Sequence, residues 1–298
     1  QIQDLKEPSL QAARIRILAQ AGLNLYQDQS RSWPFERKLE FLKKITGTLE
    51  LMPTRERDPA FVYLAAESCW HLASTLRVED PVRNREAALG WLARADAWLK
   101  PQLGKLAEEA FFLSAIVAWE RGLQAQAVER LVQIPKRFPH GKTLADTYQL
   151  LGDYYFNTAK YRDAIHHYTR LSEQGTEEKA AYGMYQAAWA FYNLQKKWTA
   201  LRHLERLVLY YAKNNTSQTI AAGSIAKEAR QDMLSVLGEL MPHTKALKEL
   251  ELFPLDAPTR METQERLARV YQKIGRFSDA IGVWEHLIVQ NTGQSTVP

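Results

Sequence analysis

Apolar residues recur at intervals of three and four along nearly the whole chain, the spacing that lines one face of an α-helix, and the runs stop at Gly, Pro or short polar tracts. After the polar lead-in QIQDLKEP, which ends at Pro8 and makes Ser9 the expected N-cap, the first run carries Ile15, Leu18, Gly22, Leu25 and Tyr26. A second, opened by Pro34 and stopped at Met52-Pro53, carries Leu39, Leu42, Ile45 and Leu49. From Asp58 a helix of small and aromatic residues leads through a break at Asp80-Pro81 to a helix with Ala88, Leu92 and Ala95, which Pro101 stops. The next pair turns at Gly122 and ends at Pro139.

Between Thr147 and Leu209 one helix-pair pattern appears twice. Gly152 aligns with Ala188, Tyr155 with Phe191, Ala164 with Ala200 and Tyr168 with Leu204, each at an offset of 36 residues. A supersecondary unit copied at a period of about 34 residues marks a helical solenoid. The sequence therefore predicts an all-α fold, a right-handed α-solenoid of about seven to eight helix pairs, forming a single array over 1–298. Its expected units are 9–52 (a divergent hairpin), 58–101 (a weak repeat), 108–139, 145–176, 181–212, 222–253 (an atypical hairpin) and 261–292. The spacing from Ala200 to Ala246 is 46, so an enlarged connection is expected there, with the polar tract Lys213 to Thr219 as a loop. The last unit returns to form at Gly275, Phe277, Ala280 and Trp284, and NTGQSTVP after it reads as an aperiodic end.

Small residues recur at matched places, Gly152 with Ala188 and Ala268, and Ala164 with Ala200 and Ala280. They let paired helix backbones approach closely, while large neighbours fill the space beside them.

Composition adds limits. At 46% hydrophobic and 10% aromatic, the 298 residues have ample apolar material to bury. No run is long and uncharged enough to cross a bilayer as a helix. The net charge of +5 comes from 39 basic and 34 acidic residues that are interspersed, as in RERD from Arg55 and RVEDPVRNRE from Arg77. That mixture argues for a solvated surface rather than a nucleic-acid face. The lone Cys69, in AAESCWHLA, reads as a buried inert thiol. A start at Gln1 rather than Met is expected of a processed mature form or an excised fragment, which leaves export open.

No catalytic or metal motif emerges: there is no HExxH, P-loop, CxxC or GxSxG. His166 and His167 are adjacent and point apart on a helix, and Glu108-Glu109 and Glu177-Glu178 sit where carboxylates favour a helix start. No cofactor or metal is expected.

The unit from Tyr148, with Leu151, Gly152, Tyr155, Tyr161, Ala164 and Tyr168, resembles the tetratricopeptide repeat family, as do those from Phe111 (Ala115, Ala118, Gly122, Ala127, Leu131, Pro139), Met184 and Gln264 (Leu267, Ala268, Tyr271, Gly275, Ala280, Trp284). RFPHGKTLAD followed by GDYYFNTAKYRDAIHHYTRL is further similar to repeats of bacterial cell-envelope proteins.

The resemblance implies a non-catalytic protein-interaction scaffold whose first helices line a concave groove. Carried over, the partner-binding candidates are Trp119, Phe156, Asn157, Lys160, Tyr185, Trp189, Tyr192, Asn193, Lys196 and Arg276. This mixture of flat aromatics, asparagines and cations suits a peptide. The basic-plus-Asn clamp of chaperone-tail receptors is missing, since its positions hold Gln149 with Asp153 and Tyr185 with Trp189. The implied partner is a protein or peptide within a larger, periplasmic bacterial envelope assembly, with a cytoplasmic location as the alternative. Binding is expected through the aromatic groove or through the apolar last helix, with Ile281, Trp284, Leu287 and Ile288. The alternative function is the helical part of a peptidoglycan-acting enzyme similar to lytic transglycosylases, lacking its catalytic domain.

Overall fold

The computed structural model describes residues 8–214 and 220–294. Among them are fourteen α-helices and no strand. They pair as α1 (Pro8–Gln29) with α2 (Phe35–Glu50), α3 (Pro59–Glu79) with α4 (Arg85–Leu99), and α5 (Glu108–Glu120) with α6 (Gln124–Arg137). Then follow α7 (Leu144–Asn157) with α8 (Tyr161–Gln174), α9 (Glu177–Asn193) with α10 (Lys197–Asn214), α11 (Ile220–Leu240) with α12 (His243–Glu251), and α13 (Ala257–Lys273) with α14 (Phe277–Gln294). The chain divides into two compact units at Thr147/Tyr148, inside α7.

Two details differ from the periodicity. Helix α1 already includes Pro8, so Ser9 lies in its first turn instead of capping it, because proline fits a first turn whose N–H groups lack intrahelical partners. Helix α14 continues through Asn291–Gln294, so half of the aperiodic end is helical. Residues 215–219 of the polar tract and 295–298 lie outside the described residues.

Four of the seven pairs turn in one way. Gly122, Ala159, Gln195 and Gly275 have φ of 78°, 57°, 61° and 78°, the left-handed region. Around each, two N–H groups fold back to the carbonyls of the preceding helix. Leu123 N–H donates to Ala118 O at 2.9 Å, Lys160 to Tyr155 at 2.8 Å, Lys196 to Phe191 at 3.0 Å and Arg276 to Tyr271 at 2.8 Å. This Schellman-type closure satisfies carbonyls that the helix end leaves open. Five residues past each left-handed position stands a buried alanine, Ala127, Ala164, Ala200 or Ala280, where the second helix crosses the first. The pairs α1/α2, α3/α4 and α11/α12 turn otherwise: through a 3-10 turn at Ser30–Ser32, an Asp80 cap over Val82 and Arg83 N–H, and Met241-Pro242.

In the N-terminal unit, Ile15, Leu23, Leu42, Leu49, Phe61 and Leu72 form one core joining α1, α2 and α3. Asp58 caps α3 by accepting from Phe61 N–H at 2.8 Å, with Pro59 in the first turn. The buried polar groups of this core are paired, Tyr26 with Thr75 at 2.8 Å and Thr46 with Ser68 at 3.2 Å. Further along, buried Arg130 donates to Ser114 O at 2.6 Å and contacts Asp96 at 3.5 Å, tying α6 to α5 and α4. Cys69 is buried, and burial pushes its thiol up to about 12, so it stays protonated.

In the C-terminal unit, Tyr168 of α8 fills the space left by two glycines. A Cβ on Gly152 (α7) would lie 2.5 Å from its ring, and one on Gly183 (α9) 2.7 Å from its backbone oxygen. The remaining core runs through Leu201, Leu204, Met233, Leu237, Leu250, Leu267 and Tyr271. The Tyr271 hydroxyl donates to Met241 O at 2.9 Å, and the Arg276 guanidinium donates to Gly238 O and Met241 O at 2.7 and 3.0 Å. Together they close the carbonyl end of α11. Asp279 takes bonds from Arg276 and from His243 N–H and Nδ1. Burial pushes the Asp279 carboxyl up, but these bonds outweigh it and hold it below the usual range.

Two testable outcomes follow from this architecture. The space around Gly275 is open, so Gly275→Ala adds only backbone strain and should lower stability by about 1 kcal/mol. Gln195→Gly, which relieves the same strain, should be neutral or stabilising by up to about 1 kcal/mol once the added chain entropy is offset. Urea midpoints check both, and unchanged midpoints for Gly275→Ala contradict the turn assignment.

His71 and His167 are depressed from 6.5 to about 4, both mainly by burial, and for His167 also by neighbouring His166. Their buried His71 Nε2 and His167 Nδ1 meet no hydrogen-bond partner. The folded form thus binds fewer protons than the unfolded chain between pH 6.5 and 4, so stability is complete above 6.5 and falls as pH drops through that window. The loss should be on the order of 1 kcal/mol per histidine, because both rings are partly solvated. Replacing both by Gln should flatten a melting-temperature profile across this window; an undiminished slope would contradict the assignment.

Candidate functional site

Helix α9 holds the densest cluster of the expected binding residues. Tyr185, Trp189, Tyr192 and Asn193 fall at steps of four, three and one, which places them on one stripe of the helix. Small residues of the same helix, Ala181, Gly183, Ala187, Ala188 and Ala190, are buried and let α9 pack closely against its neighbours. The aromatic stripe stays half-buried.

The stripe is held by carboxylates. Tyr185 OH donates to Asp232 Oδ2 of α11 at 2.6 Å, and Tyr192 OH lies 2.9 and 3.0 Å from the two oxygens of Glu239, one heptad further along the same helix. Lys197, at the start of α10, completes the group: its ammonium is 2.8 Å from Glu239 and 5.1 Å from the centre of the Tyr192 ring. The Trp189 ring meets Tyr192 edge to face with centroids 5.3 Å apart, and the Trp189 carbonyl accepts from the Asn193 amide at 2.9 Å. One turn before Tyr185, Tyr182 OH donates to Asp153 of α7 at 2.8 Å, and Tyr168 OH donates to the same oxygen at 2.8 Å.

These bonds appear in the acidities. Burial, then the Asp232 bond, pushes the Tyr185 hydroxyl up to about 12. Burial and the Glu239 bond likewise raise Tyr192. Both therefore remain protonated donors at neutral pH, and the arrangement supplies fixed aromatic surface and hydrogen-bonding groups with no activated nucleophile. Among the described residues no group of three or more His, Cys, Asp or Glu is placed to hold a metal ion.

The other expected residues are placed differently. Phe156 packs within its own hairpin, edge to face with Tyr161 at 5.5 Å and with Tyr168 at 6.4 Å, and remains half-buried. Asn157 and Lys160 are exposed at the α7/α8 turn, where the Lys160 ammonium sits 5.9 Å from the Tyr155 ring centre. Lys196 is exposed in the α9/α10 turn, and the cation beside Tyr192 is its neighbour Lys197. Arg276 spends its donors on the end of α11 and on Asp279. Trp119 is half-buried on α5, in the N-terminal unit.

Sequence reasoning missed Asp232, Glu239 and Lys197. A signal existed, because Tyr185 to Asp232 and Tyr192 to Glu239 share one separation of 47 residues, so two residues a heptad apart on α9 meet two a heptad apart on α11.

Comparison with known proteins places the stripe inside a recognised unit. Residues 182–214 match the tetratricopeptide repeat family. No curated protein is similar enough in sequence to count as a relative. Among solved structures, the chain is similar to the C-terminal part of a repeat protein of the same kind from Cytophaga hutchinsonii, at 15% identity over 91% of this chain and 94% of that one, with a TM-score of 0.46. A repeat protein from Bacteroides fragilis matches at 14% identity over 90% of this chain and all of its own, with a TM-score of 0.29. A structure of Naa15/Naa10 bound to HypK matches at 15% identity over 94% of this chain and 37% of its own, with a TM-score of 0.47. The matched segment runs from Tyr182 in α9 to the end of α10, and it has the left-handed turn and buried alanine of the α5/α6, α7/α8 and α13/α14 pairs. The chain is thus an all-α array of helix pairs that carries a tetratricopeptide repeat at 182–214.

Proposed function

We propose that this protein is a non-catalytic scaffold that holds a partner protein or peptide on the α9 stripe, with the work of binding done by Trp189 and Tyr192 and the orientation set by Asp232 and Glu239. The observation that carries this reading is that half-exposed aromatics are fixed by carboxylates of the next first helix. Large flat rings contribute contact area with few torsions to freeze, and rings already held in place lose less freedom on binding. Asn193 and Lys196, exposed beside the stripe, offer a donor and a cation to a ligand backbone or carboxylate. Phe156, Asn157 and Lys160 extend the same unit's polar and aromatic surface at the neighbouring turn.

The setting we propose is a bacterial cell-envelope assembly, on the periplasmic side. Its support is the similarity of the segment from Arg137 through Leu171 to repeats of envelope proteins. No helix among the described residues is long and apolar enough to cross a membrane.

A photo-crosslinking residue placed at Asn193 in bacterial cells should trap a discrete protein partner that the same residue at Arg206, exposed on α10, does not trap. For that partner, Trp189→Ala with Tyr192→Ala should weaken affinity by about 2 kcal/mol or more per hot spot while the helical circular dichroism persists. Tyr192→Phe, which removes only the Glu239 bond, should cost less. Equal trapping at both positions, or unaltered affinity in the double variant, contradicts the proposal.

A further inference from the structure

Within the C-terminal unit the second helix of one pair is covered by the first helix of the next. Helix α9 follows α8 after only Gly175 and Thr176, so it runs back along it, and a Cβ on Gly183 would lie 2.7 Å from Tyr168 O and 3.1 Å from Ser172 N. Helix α11 likewise packs on α10, and Leu201, Leu204 and Val208 of α10 are buried in one core with Met233 and Leu237 of α11. Aligned on the buried alanines Ala200 and Ala280, at an offset of 80 residues, these three positions correspond to Ile281, Trp284 and Ile288 of α14. On α14 the stripe is open. Leu201 and Val208 are 0% and 2% exposed, whereas Ile281 and Ile288 are 57% and 61% exposed, and Phe277 at the head of the stripe is 65% exposed. Helices α12 and α13 pack on the other side of α14.

A stripe of the same spacing stands open on α1. Arg14, Leu18, Ala21 and Leu25 follow one another at steps of four, three and four, the steps that separate Phe277, Ile281, Trp284 and Ile288. Leu18, Ala21 and Leu25 are exposed, while α1 enters its own core through Ile15, Ala19, Leu23 and Tyr26. The two helices also differ in sign. Helix α1 carries Arg14 and Arg16 and no acid before Asp28, and α14 carries Asp279 and Glu285 and no lysine or arginine. Arg16 pairs with Asp58, and Asp279 with Arg276. Arg14 then lies within the α1 stripe and Glu285 borders the α14 stripe, so two apolar faces of one spacing meet the requirement of opposite charge.

We propose that a second copy of this chain covers the open face, its α1 lying on α14 as α9 lies on α8. An antiparallel approach centred on the two stripes sets Leu25 beside Phe277, Leu18 beside Trp284, and Arg14 beside Ile288, one turn from Glu285. Burial of the leucines and isoleucines drives the joint, and the charges fix its direction. Because the two faces differ, the contact is heterologous and joins copies head to tail. Neither face includes a residue of α9, so the joint does not rest on the binding stripe proposed there.

Sedimentation equilibrium of the intact chain tests this. The weight-average mass should rise above the 34.2 kDa of one chain as the concentration increases from micromolar to several hundred micromolar. Ile281→Glu and Leu18→Glu, each at an exposed position, should keep the melting temperature and stay at the single-chain mass throughout. Ile288→Glu and Leu25→Glu should repeat these two results. Mixing Ile281→Glu with Leu18→Glu should restore association as a species of twice the single-chain mass, since each variant keeps the face that the other lacks. Trp189→Ala with Tyr192→Ala should leave the mass profile unchanged, which separates failure of the α9 reading from failure of this one. The proposal is overturned if the chain stays at 34.2 kDa at every concentration, or if the mixture remains at the single-chain mass. It is equally overturned if either variant alone associates as fully as the unaltered chain, which marks a pairing of like faces.

Discussion

The C-terminal unit depends on one buried residue, Tyr168, whose ring lies against Gly152, whose backbone oxygen lies against Gly183 and whose hydroxyl bonds Asp153. The ring fits because Gly152 of α7 has no Cβ to occupy the same space, and the missing Cβ of Gly183 lets α9 come up against the α8 backbone at Tyr168. The hydroxyl would be costly to bury without an acceptor, and Asp153 supplies one while also taking the bond from Tyr182. That shared carboxylate sets the rotation of α9 about its own axis. Once Tyr182 is fixed, Tyr185, Trp189 and Tyr192 follow along the helix toward α11, where Asp232 and Glu239 receive the hydroxyls. The aromatic stripe is therefore a consequence of how α7, α8 and α9 pack.

Much of this fold was legible before any coordinates, because the constraint acts on residue types at fixed spacing. Wherever the turn is left-handed and the second helix crosses closely, only a small residue fits five positions later, and Ala127, Ala164, Ala200 and Ala280 repeat at that place. The pairs that resisted recognition lack this turn. In α1/α2, α3/α4 and α11/α12 the chain reverses through a 3-10 turn, an aspartate cap and a proline, each satisfying the helix end by local means that impose no alanine downstream. Periodicity found their helices but supplied no shared register.

The site was legible in part and for a similar reason. Helix periodicity puts Tyr185, Trp189 and Tyr192 on one stripe whatever they touch. What orients them comes from α11, whose pair does not follow the repeat, so Asp232 and Glu239 had no position from which to be carried over. The cations were less readable, since a lysine in a turn is ordinary and its neighbour can point the other way: Lys197, not Lys196, lies over the Tyr192 ring. Arg276 is the plainest case of a charge used for structure, because the end of α11 needs donors and Arg276 stands within reach of Gly238 and Met241.

A scaffold role requires α9 to be a surface prepared for a partner. Hydrogen–deuterium exchange of the intact chain, alone and saturated with the partner trapped at Asn193, tests this most directly. Added protection should concentrate on residues 182–196 and 228–239, with α8 and α10 unchanged. Protection confined to α8 and α10, with α9 and α11 exchanging as before, would contradict it.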